Sequence, residues 1–363
     1  MEHKKTILVC PMDWGLGHAT RMVPVIEALK KKKNIRIILG ADNRPLEFLK
    51  QRYPELEMIK FPGYAPRYPV KGAMVLKMLS EMPEMKKQAD KAHLFLETLI
   101  DEMKIDLVIS DNRYELWSDK AKTVFITHQL NVQTPRYGGV AKPALRQMIY
   151  SYIKKYDELW IPDVAGDNNL SGALSHISNF PLTNYHFIGP LTRFQYVKPQ
   201  LPEQNIDLLI LLSGPEPQRT ILEIKLKDQA FQSGLNTVIL QGRTEESHQI
   251  KMGNVETFSH LPDNQFSGMI LKAKTIICRP GYSSLMDLAW FGKRAVFIPT
   301  PGQTEQEFLA ESLKQKGLYY YQNQKEFNLQ KALLQSENYY GLKMQNNGQL
   351  LEERIAALIE NKE

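Results

Sequence analysis

Residues 275–309 read TIICRPGYSSLMDLAWFGKRAVFIPTPGQTEQEFL. The apolar run Thr275–Cys278 is typical of a buried strand, and a tight RPG turn leads directly into a helical pattern over Tyr282–Phe291 that stops at Gly292. A second strand over Arg294–Pro299 then passes through a proline-glycine turn into a second helix. The stretch therefore predicts two neighbouring strand-turn-helix units of an α/β fold.

Each of the two predicted helices begins with small and polar residues. Backbone N–H groups at a helix N-terminus lack partners within the helix, and together with the helix dipole they favour phosphate and other anions. The residues concerned are Gly281, Tyr282, Ser283 and Ser284 in the first helix, and Gln303, Thr304, Glu305 and Gln306 in the second. The spacing predicts an anion site here, and it is equally consistent with an ordinary, well-capped α/β repeat.

The composition is that of a globular protein large enough for two domains. The chain has 363 residues, of which 43% are hydrophobic and 24% are charged, and its net charge is +6. Lys and Arg are not clustered among aromatic residues, so no nucleic-acid partner is expected. Cys10 and Cys278 lie in apolar runs, as expected of buried thiols in a reducing compartment. With no signal peptide and no apolar run approaching 18 residues, we expect a cytoplasmic protein, at most peripheral on the inner face of the membrane.

The first half of the chain opens with a strand, a glycine loop and a helix, which is the first unit of a nucleotide-binding-type domain. The loop sequence G-x-G-H departs from the dinucleotide fingerprint G-x-G-x-x-G, so a nicotinamide or flavin site is not expected. Gly15 and Gly17 would let a ligand approach the backbone closely, and His18 titrates near neutral pH. His18 is therefore a candidate functional residue, although a loop histidine can equally serve as a helix cap.

Polar residues recur where the predicted strands of this half end. Asp111 follows one apolar run, and His128 and Asn131 follow the next. Because the carboxyl ends of parallel strands meet at one edge of a sheet, Asp13, His18, Asp111 and His128 are expected to face one cleft. A carboxylate beside a histidine is the usual arrangement for general-base catalysis, so His18 is the candidate base with Asp111 as its partner or rival. Each of these residues alone is also a plausible strand-end cap.

Residues 64–87 are rich in Tyr, Pro, Met and Lys. Their Met-rich part has the pattern of an amphipathic helix. Such a helix usually packs against a core; the alternative is a surface that touches a membrane or a lipid-linked acceptor.

The distribution of strands predicts two domains with a linker between them. Residues 196–205 contain two prolines and lose the apolar periodicity, which is typical of a linker. The predicted N-terminal domain is 1–195, and a second series of strands and helices makes 206–345 the C-terminal domain. The last helix, within 346–363, could cross back to the first domain.

With both halves laid out, the chain resembles the two-domain GT-B glycosyltransferases, specifically the family 28 group around the N-acetylglucosaminyltransferase that makes the lipid intermediate of peptidoglycan. The matching patches are Gly15–His18, His128–Asn131, Gly189–Arg193, Ser213-Gly214 and residues 278–309. The resemblance implies an α/β fold of two Rossmann-like domains that face a central cleft. It assigns acceptor binding, including Gly15, Gly17, His128 and Asn131, to the N-terminal domain and donor binding to the C-terminal domain.

The resemblance also implies roles for residues of the donor domain. Asp287 falls where the family has an acidic residue on the uridine ribose, with Asp in place of Glu. Gln306 falls on the first of two glutamines that touch the donor sugar, and Glu307 replaces the second, which leaves the sugar preference open. Arg193 matches an arginine on the donor phosphate, and Ser259 lies where a backbone group reads the base.

Three further donor-binding assignments concern loops of the same domain. Ser213 and Gly214 occupy its first loop, where the family's additional glycines are missing. Arg219 could supply a phosphate contact in their place. Arg279, in the turn before the first of the two helices, completes the donor set.

The activity implied by the resemblance is transfer of a hexose or N-acetylhexosamine from a nucleoside diphosphate sugar, expected to be a UDP-sugar, to an acceptor hydroxyl. Inversion at the sugar carbon is expected, with no cofactor, and with no metal because the sequence lacks an Asp-x-Asp motif. The expected partners are the donor and a lipid-linked or glycan acceptor. Two alternatives stay open on the same scaffold: a UDP-sugar hydrolase or 2-epimerase, and a non-catalytic nucleotide-sugar binding protein.

Overall fold

The computed structural model describes residues 4–13, 15–63, 74–133, 142–178, 180–344 and 348–360. These residues form two compact units. Unit 1 contains the described residues up to Arg193 together with residues 348–360, and unit 2 contains residues 194–344.

The described part of unit 1 is built on a parallel sheet of seven strands in the order β3-β2-β1-β4-β5-β6-β7. The strands are β1 (Lys5–Pro11), β2 (Ile35–Ala41), β3 (Glu57–Lys60), β4 (Leu107–Asp111), β5 (Lys122–Ile126), β6 (Glu158–Ile161) and β7 (Tyr185–Phe187). The central strands are apolar along nearly their whole length, because helices cover both faces of a parallel sheet.

The helices of unit 1 connect these strands. They are α1 (Leu16–Lys30), α2 (Asn43–Arg52), α3 (Met74–Met103) and α4 (Lys142–Ile153), with a short 3-10 helix at Gly172–Leu174. One core cluster joins α3 to the sheet through residues such as Leu96, Ile38 and Val108. The predicted segment 64–87 lies only partly within the described residues, because 64–73 and the side chains of 74–82 fall outside them.

The last helix, residues Gln349–Glu360, belongs to unit 1 and packs against α1. Its Arg354 donates hydrogen bonds to both carboxylate oxygens of Glu158, at 2.9 and 2.5 Å. Glu158 is 2% exposed and also accepts from Trp160 Nε1, with Lys122 Nζ at 3.1 Å. Burial alone would raise the pKa of Glu158, but these donors together hold it below the ordinary value. A buried ion pair therefore ties the C-terminal helix to the sheet.

Unit 2 has a second seven-stranded sheet, in the order β10-β11-β9-β8-β12-β13-β14. The strands are β8 (Leu208–Leu211), β9 (Thr237–Leu240), β10 (Gln249–Met252), β11 (Val255–Phe258), β12 (Thr275–Cys278), β13 (Ala295–Phe297) and β14 (Tyr320–Tyr321). All the pairings are parallel except that of β10 with β11. The helices of unit 2 are α5 (Gln218–Ser233), α6 (Asp263–Lys272), α7 (Tyr282–Phe291), α8 (Thr304–Gln315) and α9 (Leu329–Ser336). The C-terminal helix of unit 1, Gln349–Glu360, is α10.

The predicted linker residues pack onto unit 2. Gln200 N–H donates to Asn264 O, and a Cβ added at Gly268 of α6 would lie 1.8 Å from Gln200 O. The ring of Phe194 meets Phe266 edge-on at 5.4 Å. The segment is therefore fixed to α6, and a glycine at 268 is what permits the close approach.

The structure confirms the predicted α/β fold, and α7 stops at Gly292 in the left-handed conformation, as its sequence indicates. Four strands and helices of unit 2 were not predicted: β10, β14, α6 and α9. All four residues of β10 are exposed, so this edge strand has no apolar signal. Both cysteines are buried free thiols, and burial raises the pKa of each to about 12.

Each sheet reverses its strand order next to its first strand. In unit 1 the chain proceeds from β1 to β2 on one side and later to β4 on the other; in unit 2 it proceeds from β8 to β9 and later to β12. Ligands of open α/β sheets bind at such switch points, beyond the carboxyl ends of the strands. The loops that follow β1, β4, β8 and β12 are therefore where functional residues are expected.

Among the described residues, no helix combines the length and the apolar character that crossing a membrane requires.

Replacing Arg354 by Ala should weaken the attachment of α10, because Glu158 would stay buried with fewer donors. We expect a loss of about 2–3 kcal/mol in the free energy of opening α10, measured by hydrogen exchange of its amides. The difference should shrink as the pH falls through the lowered pKa of Glu158, because protonation removes its interaction with Arg354 in the native protein as well.

The matched control is Lys31→Ala, which removes the exposed ion pair between Lys31 and Glu352 of the same helix. Its effect should stay below about 1 kcal/mol, since exposed pairs contribute little. Equal effects of the two substitutions would contradict a special role for the buried pair.

Candidate functional site

The N-terminus of α1 faces the switch point of unit 1. Gly15 is its N-cap, with φ 117° and ψ 173°, a backbone conformation that is essentially restricted to glycine. Gly17 lies inside the first turn, where its carbonyl accepts the Thr20 hydroxyl at 3.1 Å. The turn places His18 beside the end of β4.

His18 and Asp111 form the hydrogen-bonded pair that the sequence predicts. The distance from His18 Nδ1 to Asp111 Oδ2 is 2.9 Å. Asp111 is fully buried, whereas the His18 side chain is 19% exposed. An ionised carboxylate can only accept, so Nδ1 carries the proton and Nε2 carries the lone pair. His18 Nε2 makes no hydrogen bond to any residue that the structure describes, so it is the basic atom of the pair.

Arg21, which the sequence analysis did not identify, completes this cluster. Its Nε donates to both Asp111 oxygens, at 2.9 and 2.8 Å, and its Nη2 makes a further short contact with Oδ1. Arg21 is 2% exposed and lies three residues after His18 on α1, one helical turn along the same face. That spacing is the signal by which it could have been found.

The charges of the cluster set the protonation of its members. Burial and the nearby charge of Arg21 lower the pKa of His18 below its ordinary value of 6.5, against the opposing effect of Asp111. Burial alone would raise the pKa of Asp111, but Arg21 and His18 together hold it below its ordinary value. At neutral pH the pair therefore consists of a neutral imidazole and an ionised carboxylate.

His128 lies close enough to His18 to lower its pKa slightly and is 3% exposed. Asn131 lies further along the same loop and donates to the carbonyls of Leu174, from its backbone N–H, and Ala173, from its side chain. His128 thus belongs to the cluster. Asn131, through its backbone N–H and its side chain, instead holds the 3-10 helix Gly172–Leu174.

Asp13 is not part of this cluster, contrary to the sequence expectation. Its Oδ1 accepts the Asp42 N–H at 2.9 Å, and its Oδ2 lies 3.5 Å from Arg113 Nη1. Burial raises the pKa of Asp13 to about 6, although Arg113 and the Asp42 N–H oppose the shift. The carboxylate packs directly on Gly63, where a Cβ would lie 1.8 Å from Oδ2. Asp13 therefore joins neighbouring loops and does not reach His18.

In unit 2, two helix N-termini follow neighbouring strands near the switch point. Gly281 is the N-cap of α7 and Gln303 that of α8, and neither provides a side-chain cap. The residues assigned to the donor here are all half-buried except Tyr282 and Gln306, which are buried: Gly281, Tyr282, Ser283, Ser284 and Asp287 on α7, and Gln303, Thr304, Glu305 and Gln306 on α8. The structure thus places eight of these nine residues at the N-termini of two helices that follow adjacent strands, and Asp287 in the middle of α7.

The loop after β8 approaches the loop after β13. Gly214 has φ +101°, and a Cβ there would lie 3.5 Å from Thr300 Oγ1. Thr300 is 5% exposed, and its hydroxyl is buried without a hydrogen-bond partner among the described residues. Gln306 Oε1 accepts the Thr300 N–H at 2.8 Å, so Gln306 holds the loop in place. Thr300 is a second residue that the sequence analysis did not identify, although it too follows a strand end.

Arg279 is buried and committed to contacts within unit 2. It is 1% exposed, and its Nη1 donates to the carbonyls of Ile298 and Pro299 at 2.8 and 2.9 Å. Its Nη2 donates to Gln218 O and Gln324 Oε1. Burial lowers the pKa of Arg279 to about 10, which leaves it charged at neutral pH. Arg279 thus braces the loops that border the switch point, and its assignment to the donor stays a prediction.

Arg219 and Ser259 are also committed to contacts within unit 2. Arg219 is 7% exposed and binds two carboxylates, Glu216 at 2.7 Å and Glu223 at 3.1 Å. Ser259 is 1% exposed; its N–H donates to His248 O and its C=O accepts from Arg243 N. These contacts stabilise loops of unit 2, and the two donor assignments stay predictions.

The two remaining donor assignments are Arg193 and Ser213. Arg193 is the last residue of unit 1 and begins the 3-10 helix Arg193–Tyr196. Ser213 is exposed beside Gly214. Both stay predictions.

Comparisons with known proteins concern the C-terminal part of the chain and the fold. Residues 218–359 match the glycosyltransferase family 28 C-terminal domain. A comparison with curated proteins finds no significant match.

Several solved structures share the fold over almost the whole chain. Acinetobacter baumannii MurG is 14% identical, with a TM-score of 0.57 over 97% of this chain and 99% of its own. CalG4, the calicheamicin glycosyltransferase, is 12% identical, with a TM-score of 0.64 over 99% and 98%. Arabidopsis thaliana UGT89C1, complexed with UDP-L-rhamnose, is 13% identical, with a TM-score of 0.57 over 99% and 95%. The match of residues 218–359 to the family 28 C-terminal domain and the shared fold together support a glycosyltransferase with the GT-B fold.

Proposed function

We propose that the chain transfers a hexose or N-acetylhexosamine from a UDP-sugar to an acceptor hydroxyl, with inversion at the anomeric carbon. The observation that carries the proposal is the His18–Asp111 pair at the switch point of unit 1. It presents a neutral imidazole whose Nε2 is available as a base, and its Nδ1 is held by a buried carboxylate.

In the proposed reaction, His18 Nε2 takes the proton of the acceptor hydroxyl. The acceptor oxygen attacks the anomeric carbon from the side opposite the diphosphate, which inverts the configuration. The bond from the anomeric carbon to the phosphate oxygen breaks, and its electron pair leaves with UDP. Asp111 keeps its charge throughout and stabilises the imidazolium that forms.

The proposal assigns the donor to the N-termini of α7 and α8. Their helix dipoles favour the charge that develops on the leaving diphosphate, with Arg193 as a further cation, so no metal ion is assigned a role. The Thr300 hydroxyl supports this placement, since a buried hydroxyl without a protein partner is costly unless a ligand or water pairs with it.

The proposed identities of the nucleotide and of the acceptor are supported by more general observations. The UDP-L-rhamnose complex of UGT89C1 favours a UDP-linked donor, with Asp287 on the ribose. Because Glu307 replaces the second glutamine, the donor sugar could be either a hexose or an N-acetylhexosamine. The Glu307 carboxylate accepts the Gly302 N–H at 3.0 Å. We propose a lipid-linked or glycan acceptor, used by the protein at the inner face of the membrane.

His18→Gln should lower kcat/KM by about 10²–10⁴-fold, because the acceptor proton loses its base. The release of UDP from a panel of UDP-sugars, with and without hydroxyl acceptors, measures this. His186→Gln is the matched control, since His186 lies on β7 and bonds Asn184 outside the cluster, and its activity should be retained.

Two results would contradict the proposed reaction. Full activity of His18→Gln would show that His18 is not the base. Rapid conversion of the UDP-sugar to free sugar or to an epimer, without an acceptor, would favour a hydrolase or 2-epimerase.

Thr300→Val should weaken UDP binding about 5–10-fold in titration calorimetry, which corresponds to the loss of one hydrogen bond. The ligand-free protein should be no less stable, because the lost hydroxyl has no protein partner.

Thr237→Val provides the contrast, since Thr237 is buried at the start of β9 and its hydroxyl donates to Leu235 O at 2.9 Å. It should cost stability and leave UDP affinity unchanged. Equal UDP affinity of wild type and Thr300→Val would remove Thr300 from the donor site.

Membrane association should depend on anionic lipid, because the proposed contact surface, residues 64–87, is basic. Co-sedimentation with vesicles of neutral lipid, with and without phosphatidylglycerol, measures this. A protein that stays in the supernatant with both vesicle types would end the membrane proposal.

A further inference from the structure

We propose that Arg21 is a positioning residue of this reaction, which holds Asp111 in the orientation that fixes His18 and balances the carboxylate charge so that His18 stays neutral. The inference rests on the proposed role of His18 as the base. Arg21 itself is buried and has no access to substrate.

The contacts of Arg21 fix the orientation of the Asp111 carboxylate. Its planar guanidinium binds Asp111 through Nε and Nη2, so the plane of the carboxylate is fixed. The same Asp111 Oδ2 that receives Nε at 2.8 Å receives His18 Nδ1 at 2.9 Å. The ring of His18 is thereby oriented through two successive contacts that begin at Arg21.

The charges explain why an arginine is needed. A buried carboxylate alone would attract a proton onto His18, and a histidine that is already protonated cannot act as a base. The titratable groups that face His18 are Asp111 from β4, Arg21 from its own helix and His128 from the loop after β5. Of these, Arg21 is the fixed positive charge that offsets Asp111.

His18 also lies in the first turn of α1, where the helix dipole disfavours a positive charge. The dipole is present in every variant of Arg21, so its effect can be separated from that of the arginine by substitution.

The experiment measures the pKa of His18 directly by NMR titration of its imidazole protons in the full-length protein, with His18→Gln used to assign the signal. Arg21→Gln should raise this pKa by about one to two units, since the carboxylate charge is then unbalanced. Arg21→Lys keeps the charge and should stay close to wild type. Arg21→Gln/Asp111→Asn removes both charges and should also stay close to wild type.

The acid limb of kcat/KM against pH should move upward with the NMR value in Arg21→Gln. A purely structural arginine predicts a different pattern, in which the variants lose activity without a charge-ordered change in the pKa of His18. An unchanged pKa in folded Arg21→Gln would overturn the proposal.

If Arg21→Gln does not fold, Asp111→Asn and the double variant give the same comparison. The pKa of His18 should then be lower in Asp111→Asn, where Arg21 stands alone, than in the double variant; equal values would overturn the proposal. The titration needs no turnover, so it is independent of the proposed reaction. The activity of His18→Gln tests that reaction separately.

Discussion

Parallel strands end at the same edge of a sheet, and this constraint organises both halves of the molecule. In each unit the first strand lies inside the sheet and the chain proceeds to both sides of it, which opens a gap between the loops that follow β1 and β4, or β8 and β12. In unit 1 these two loops carry the start of α1 and Asp111. In unit 2 they carry Gly214 and the start of α7. The topology thus brings together residues that lie tens of positions apart in the sequence.

The buried charges then set the protonation states of the residues that meet at this edge of the sheet. Asp111 is fully buried, and its charge is shared between Arg21 and His18, so the cluster keeps an ionised carboxylate next to a neutral imidazole. Arg279 shows the opposite use of a buried charge. It donates to oxygen atoms at the ends of several loops, so it stabilises the loops around the switch point of unit 2.

The positions where strands end could be predicted from the sequence, but the partners of most side chains could not. His18 and Asp111 could be found because polar residues after apolar runs mark the edge of a parallel sheet. Asp13 satisfies the same rule, yet it is captured by Arg113 and the Asp42 N–H, and no local pattern reports such a contact. Arg219 was assigned to the donor phosphate in place of missing glycines, and Arg279 to the donor, but nearby carboxylates and carbonyls bind both side chains in the structure. Arg21 was missed because it lies inside α1 and not at the end of a strand.

The return of α10 to unit 1 has a consequence for how such a protein can be rearranged. Unit 1 is made from two separate pieces of chain, and Arg354 joins the later piece to the sheet through Glu158. A gene fusion that exchanged everything after Arg193 would replace unit 2 and also the helix that completes unit 1. Recombination that preserves both units must instead exchange the segment between two cut points, in the way that a domain is inserted into a loop.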